Sequence, residues 1–195
     1  MRRSPGAFER AAPLLALLSW LLFAQAATLP ARAQPAKSPL EYRVKAAVIY
    51  NLTKFIEWPP STSGAAAGSR FEMCLLGDNE VFELLRHTLR GKEVRGSTVE
   101  IREIADPSEA AGCQLVFITQ ARDRSLFEAL AAAPGGVLTI AEAPDLHESG
   151  AIINLVLEQG RVGFEIDIER ANRANLKISS NLLRLARFVG PNGER

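Results

Sequence analysis

Cys74 and Cys113 are the chain's two cysteines and stand 39 positions apart. Cys74 falls inside a short apolar run, Phe71 to Leu76, and Cys113 directly precedes another, Gln114 to Thr119. Ends of adjacent strands bring Cα atoms within the range a disulfide needs, commonly about 4.4–6.8 Å. Closing such a loop stabilises a fold by roughly 4 kcal/mol in the chain-entropy view. The alternative is two buried free thiols. The placement reads as a staple inside one sheet rather than as a reactive thiol, which needs an electropositive, partly open setting.

The other groups able to do chemistry do not assemble into a catalytic set. His87 falls in a helix and His147 in a loop, and no His-x-x-x-His or Cys-x-x-Cys spacing exists. A zinc or thioredoxin-like centre therefore lacks its usual ligand pattern. Ser179-Ser180 stands at a helix start, where serine caps the backbone. Glu165 and Asp167 alternate along a strand and read as a solvated face rather than an acid–base pair. Gly77-Asp78-Asn79 follows the first long strand, where doubly wound folds place ligand loops. Without a phosphate-loop glycine pattern, and with Asp78 repelling anions, it reads as a turn and cap. The residues thus predict no enzyme, no catalytic residue, no metal and no cofactor.

The elements that position these residues follow from periodicity. Glu41 to Pro59 (EYRVKAAVIYNLTKFIEWP) reads as one apolar helix closed by a Trp-Pro pair. Tyr42, Val44, Val48, Ile49, Leu52, Phe55 and Ile56 fall within an arc of about 160° at 100° per residue. A surface helix needs an apolar stripe of only about 100°. The excess predicts burial on a second side. Strand-like and helical runs then alternate: 71–76, a helix over 80–90, 98–104, a short helix over 107–112, 114–119, a helix over 125–132, and 137–141. That order predicts a single three-layer α/β domain with a mainly parallel sheet and helices on both faces. Runs at 151–157 and 161–168, joined by Glu158-Gln159-Gly160, predict an antiparallel hairpin at one edge. Leu182, Leu183, Leu185, Ala186 and Val189 mark a closing helix.

The N-terminus reads as a signal peptide over residues 1–33. Arg2, Arg3 and Arg10 precede an apolar stretch from Pro13 to Ala24, and small-residue patterns follow at Ala24-Gln25-Ala26 and Ala31-Arg32-Ala33. The stretch is short for a span, which takes about 20 apolar residues, so a retained anchor is the weaker reading. A Pro- and Ala-rich arm follows at 34–40, then one domain at 41–190 and a tail at 191–195. Cleavage takes four of 23 basic and one of 22 acidic residues, leaving a net charge of about −2. Bulk charge gives no attraction for nucleic acid.

Several separate blocks resemble one family. YNLTKFIEWP (Tyr50–Pro59), CLLGD (Cys74–Asp78), GCQLVFIT (Gly112–Thr119), VLTIAE (Val137–Glu142), GFEIDIERA (Gly163–Ala171) and LKISSNLLRLAR (Leu176–Arg187) are similar to the YfiR/HmsC-like family of bacterial periplasmic proteins. The resemblance implies a small periplasmic regulator that binds the sensing domain of an inner-membrane diguanylate cyclase and holds it off. Lower cyclic di-GMP and less biofilm matrix would follow. An outer-membrane lipoprotein or redox stress would release the brake. A disulfide between strands belongs to the family's construction, and Cys74 with Cys113 fits it. Members with a second cysteine pair differ from this chain, which has no cysteine in 114–195.

Tyr50 and Trp58 are the expected partner-binding residues, since such rings anchor interfaces. The alternatives are packing within the monomer and a homodimer through these helices. A rival functional class is a periplasmic small-ligand sensor that signals to a membrane kinase or cyclase through a crevice at the sheet's switch point.

Overall fold

The computed structural model describes residues 38–60, 70–77, 79–119, 127–129, 136–144 and 149–190. Residues 1–33, read above as a signal peptide, most of the expected arm, the connector at 61–68, Asp78, His147 and residues 191–195 lie outside them. Of the helix expected over 125–132, residues 127–129 are described, and they are helical.

In chain order the elements are α1 (Pro39–Thr53), β1 (Ile56–Glu57), β2 (Arg70–Leu76), α2 (Asn79–Leu89), β3 (Glu93–Val94), β4 (Ser97–Ile104), a 3-10 turn (Pro107–Ala110), β5 (Leu115–Ile118), β6 (Leu138–Ala141), β7 (Ile153–Glu158), β8 (Arg161–Ile166), α3 (Ile168–Arg173), β9 (Lys177–Ile178), α4 (Ser180–Leu185) and β10 (Phe188–Val189). One sheet has the order β10-β8-β7-β6-β5-β2-β4-β3, and β1 pairs with β9 in a second. From β4 through β2, β5 and β6 to β7 the neighbours run parallel. β7 and β8 form the expected antiparallel hairpin, and β10 lies parallel on its outer side. Gln159 and Gly160 both have positive φ, the conformation a two-residue hairpin turn needs to match strand twist. Arg95 and Gly96 repeat this device between β3 and β4, a hairpin too short to register as a periodic run.

Central strands are apolar along their whole length because both faces are covered. Every residue of β5 and β6 is buried. Phe71, Met73 and Leu75 of β2, with Leu115, Phe117, Leu138 and Ile140, join the core shared with α1 and α2. Cys74, Val116, Ile118 and Ala141 face the opposite way, packing with Ala110 of the 3-10 turn and with Phe127.

Three local readings are corrected. α1 ends at Thr53, not at the Trp-Pro pair. Lys54 and Phe55 donate to the carbonyls of Asn51 and Leu52, closing the last turn. Ile56 then pairs with Ile178, and the Phe55 carbonyl accepts from the Ser179 N–H at 2.9 Å. A strand some 120 residues downstream satisfies backbone groups that the helix would otherwise have used. Asp167 is not on a solvated strand face. It is 1% exposed, caps α3 through the Arg170 N–H at 2.8 Å, and pairs with the Arg170 Nε at 2.9 Å. The closing helix stops at Leu185, which is exposed, because Phe188–Val189 joins β8.

Candidate functional site

Of the two aromatic residues of interest, Tyr50 stands on α1 and Trp58 follows it. Trp58 lies five residues beyond the helix and is only 6% exposed. Its Nε1 donates to the Gln114 carbonyl at 2.9 Å, and it meets the Phe71 ring edge-on at 5.2 Å. An indole with its N–H satisfied and its ring against another aromatic is core architecture. Tyr50 is half-buried. Its hydroxyl donates to the Glu93 carbonyl at 3.0 Å. The Lys54 and Lys92 ammonium groups lie 4.5 and 5.9 Å from its ring centroid. The two rings therefore have different environments: one is sealed, the other half-buried.

The wide apolar arc of α1 is resolved in the same way. Tyr42, Ala46, Ile49 and Leu52 are buried, whereas Leu40 is 69% and Val44 43% exposed. Phe55 and Ile56 were counted in the arc but do not belong to the helix. Within the described chain the second side of α1 is not buried. Leu40, Val44, Ala47 and half-buried Val48 leave an apolar stripe facing outward.

Beneath α1 lies a buried charged group that periodicity did not reveal. The Lys45 side chain is 7% exposed and pairs with Glu41 one turn earlier and with Glu142, just past β6, at 3.2 Å. Tyr42 donates to the same Glu142 oxygen at 2.9 Å. The Lys45 ammonium sits 4.6 Å from the Tyr42 ring centroid. A lysine four residues after a glutamate is a common surface pair, so only the fold shows that this one reaches inward.

Cys74 and Cys113 are joined by a disulfide, with Cα atoms 5.9 Å apart. The bond ties the middle of β2 to the entrance of β5, its neighbour. Arg102, opposite Cys74 on β4, reaches over it. Its guanidinium donates to the Glu109 and Ala111 carbonyls at 3.1 and 3.3 Å and lies 3.3 Å from the Cys113 Sγ.

A cleft of about 610 Å³ opens at the carboxyl ends of β2, β4 and β5, lined by Leu76, Gly77, Glu103, Ile104, Ala105, Glu109 and Ile118. β2 is followed by β4 on one side and flanked by β5 on the other, so this is the sheet's switch point. Gly77 has φ +140°, and a Cβ there would lie 2.2 Å from the Thr119 Oγ1. Nearby, the Ser108 hydroxyl and N–H donate to Asp106 and hold its carboxyl below the usual carboxylate range. His87 is exposed on α2, Glu165 is bound by Asn154, and Ser179 caps α4 through the Leu182 N–H, so none of the three approaches another candidate group.

Among solved structures, the ABC domain from Streptococcus pneumonia, determined in complex with L-Trp, is similar at a TM-score of 0.48 and 12% identity. The match covers 76% of this chain and 60% of that one, so this chain spans less than two thirds of its length. No curated protein matches the chain at a significant level. A family model described as YfiR/HmsC-like matches residues 42–187, from the first turns of α1 to the end of the β8–α4 segment, and includes the disulfide and both aromatic residues. The chain belongs to the YfiR/HmsC-like family.

Proposed function

We propose that this protein is a periplasmic, non-enzymatic regulator that binds the sensing domain of an inner-membrane diguanylate cyclase and represses it. The family match over 42–187 carries this reading, since the family is one of periplasmic regulators of the diguanylate cyclase system. The disulfide agrees with an oxidising compartment, and residues 1–33 are read as the signal peptide that delivers the chain there. Repression works as a population shift: the regulator binds the inactive sensor better than the active one. A 100-fold preference corresponds to about 2.7 kcal/mol of coupling, which an ordinary interface supplies. The contact surface is the outer stripe of α1 together with Tyr50, and Trp58 supports it from within the core. An outer-membrane lipoprotein that competes for this surface releases the cyclase.

The experiment is a pulldown from solubilised inner membranes with the purified protein as bait. Recovery of a cyclase by the wild-type protein supports the reading. Recovery of a sensor kinase alone, or of nothing, overturns it.

The switch-point cleft favours a second reading, in which a periplasmic metabolite occupies it and the chain reports occupancy to a membrane kinase or cyclase. A saturable thermal shift with a metabolite panel, abolished by filling the cleft with Ala105→Trp, distinguishes this reading from partner binding alone.

A further inference from the structure

We propose that the reduced form of this protein binds one zinc-type divalent cation between Glu72, Cys74 and Cys113. The two sulfurs and a Glu72 carboxylate oxygen lie within 4.8 Å of one another. Zinc–sulfur bonds of about 2.3 Å in a tetrahedron place two sulfurs about 3.7 Å apart. The three donor atoms thus need only small rotations to converge on one cation once the sulfur–sulfur bond is gone. Two thiolates and one carboxylate form a borderline-soft donor set, and Glu72, a third exposed, leaves a coordination position open to water.

Contacts other than the disulfide also hold these residues together. Glu72 and Cys74 are two apart on β2 and project from the same face. Cys113 is held against them by Gln114, which brackets Glu72 on both sides. The Gln114 N–H donates to the Glu72 carbonyl at 2.9 Å, and the Gln114 side-chain oxygen accepts from the Glu72 N–H at 2.6 Å. The β2–β5 ladder continues the clamp from Met73 with Leu115 to Leu76 with Ile118. Arg102 supplies the outer layer, its Nε 3.4 Å from the Glu72 carboxylate and its Nη2 3.3 Å from the Cys113 Sγ. Three anionic ligands, one guanidinium and a dication sum to neutrality, which a site with two buried cysteines requires. Motif spacing did not reveal the set because two ligands sit on one strand and the third begins another.

The chemistry balances with a dithiol reductant. It gives two electrons and two protons to the Cys74–Cys113 bond and itself closes to a disulfide. The two thiols then lose their protons to water as two metal–sulfur bonds form.

The test is a cobalt(II) titration of the purified protein after reduction with a phosphine, which brings no competing thiol. The expected result is one cobalt per chain, with thiolate-to-cobalt charge-transfer absorption that zinc abolishes and that the oxidised protein never shows. Glu72→Gln should weaken binding at least about tenfold. Circular dichroism of the reduced, metal-free protein should remain native. Loss of native structure on reduction overturns the proposal. So does a missing charge-transfer band, an unchanged affinity in Glu72→Gln, or a stoichiometry of one metal per two chains.

Discussion

Lys45 is a cation placed on the inner side of an apolar helix, and the fold tolerates it only because two carboxylates and an aromatic face meet it there. Removing one partner of a buried pair leaves its counter-charge in a poor solvent, while replacing both by apolar groups is far milder. Lys45→Ala should therefore cost about 3 kcal/mol in urea denaturation, and the double variant Lys45→Met/Glu142→Leu should cost less than the single one. A double variant worse than Lys45→Ala would mean that the pair itself, not its disruption, holds α1 to β6. Trp58 makes the opposite point about aromatic residues. Its burial against Phe71 and its bond to Gln114 predict a loss of about 4 kcal/mol for Trp58→Ala. Lost repression in that variant should follow its lost stability, and repression should return at a lower temperature where the variant folds.

At the scale of elements, α1 separates what is structural from what is available. Its inner residues are sealed by the sheet and α2, while Leu40 and Val44 remain in solvent. A charge at an exposed helical position alters stability by no more than about 0.5 kcal/mol. Val44→Glu should thus melt like wild type yet fail to recover a membrane partner, and a variant that still recovers it places the contact elsewhere. The strands were legible in the sequence because parallel, doubly covered strands leave continuous apolar runs such as Leu115 to Ile118. The end of α1 was not, because the competitor for its last turn is β9, a two-residue strand with no pattern of its own. Asp167 was misread for a related reason: a period of two continues into the cap of a helix without any local break. Of the candidate site, the cysteine pair was legible from position and number. The Lys45 group and the Arg102 contacts were not, since each joins residues whose proximity only the strand order creates.

The whole molecule is organised around β2, which is covered on both faces, flanked by β4 and β5, and tied to the start of β5 by the disulfide. Stability within a fold is uneven, with central elements opening only in global unfolding and edges opening locally. β5 and β6 are buried throughout, whereas β3 and β10 are two-residue strands at the two edges, and the β7–β8 hairpin ends in exposed Leu157 to Arg161. Amide exchange should accordingly be slowest in β2, β5 and β6 and fastest at the hairpin tip and in β3. Replacing Cys74 by Ala removes a closed loop of 39 residues, worth about 4 kcal/mol in the unfolded ensemble. If the bond acts through that ensemble, Cys74→Ala lowers the protection of the slowest amides together, by that amount, and preserves their order. Loss confined to β2 and the 105–113 segment would instead make the disulfide a local clasp, and the parallel sheet would then hold without it.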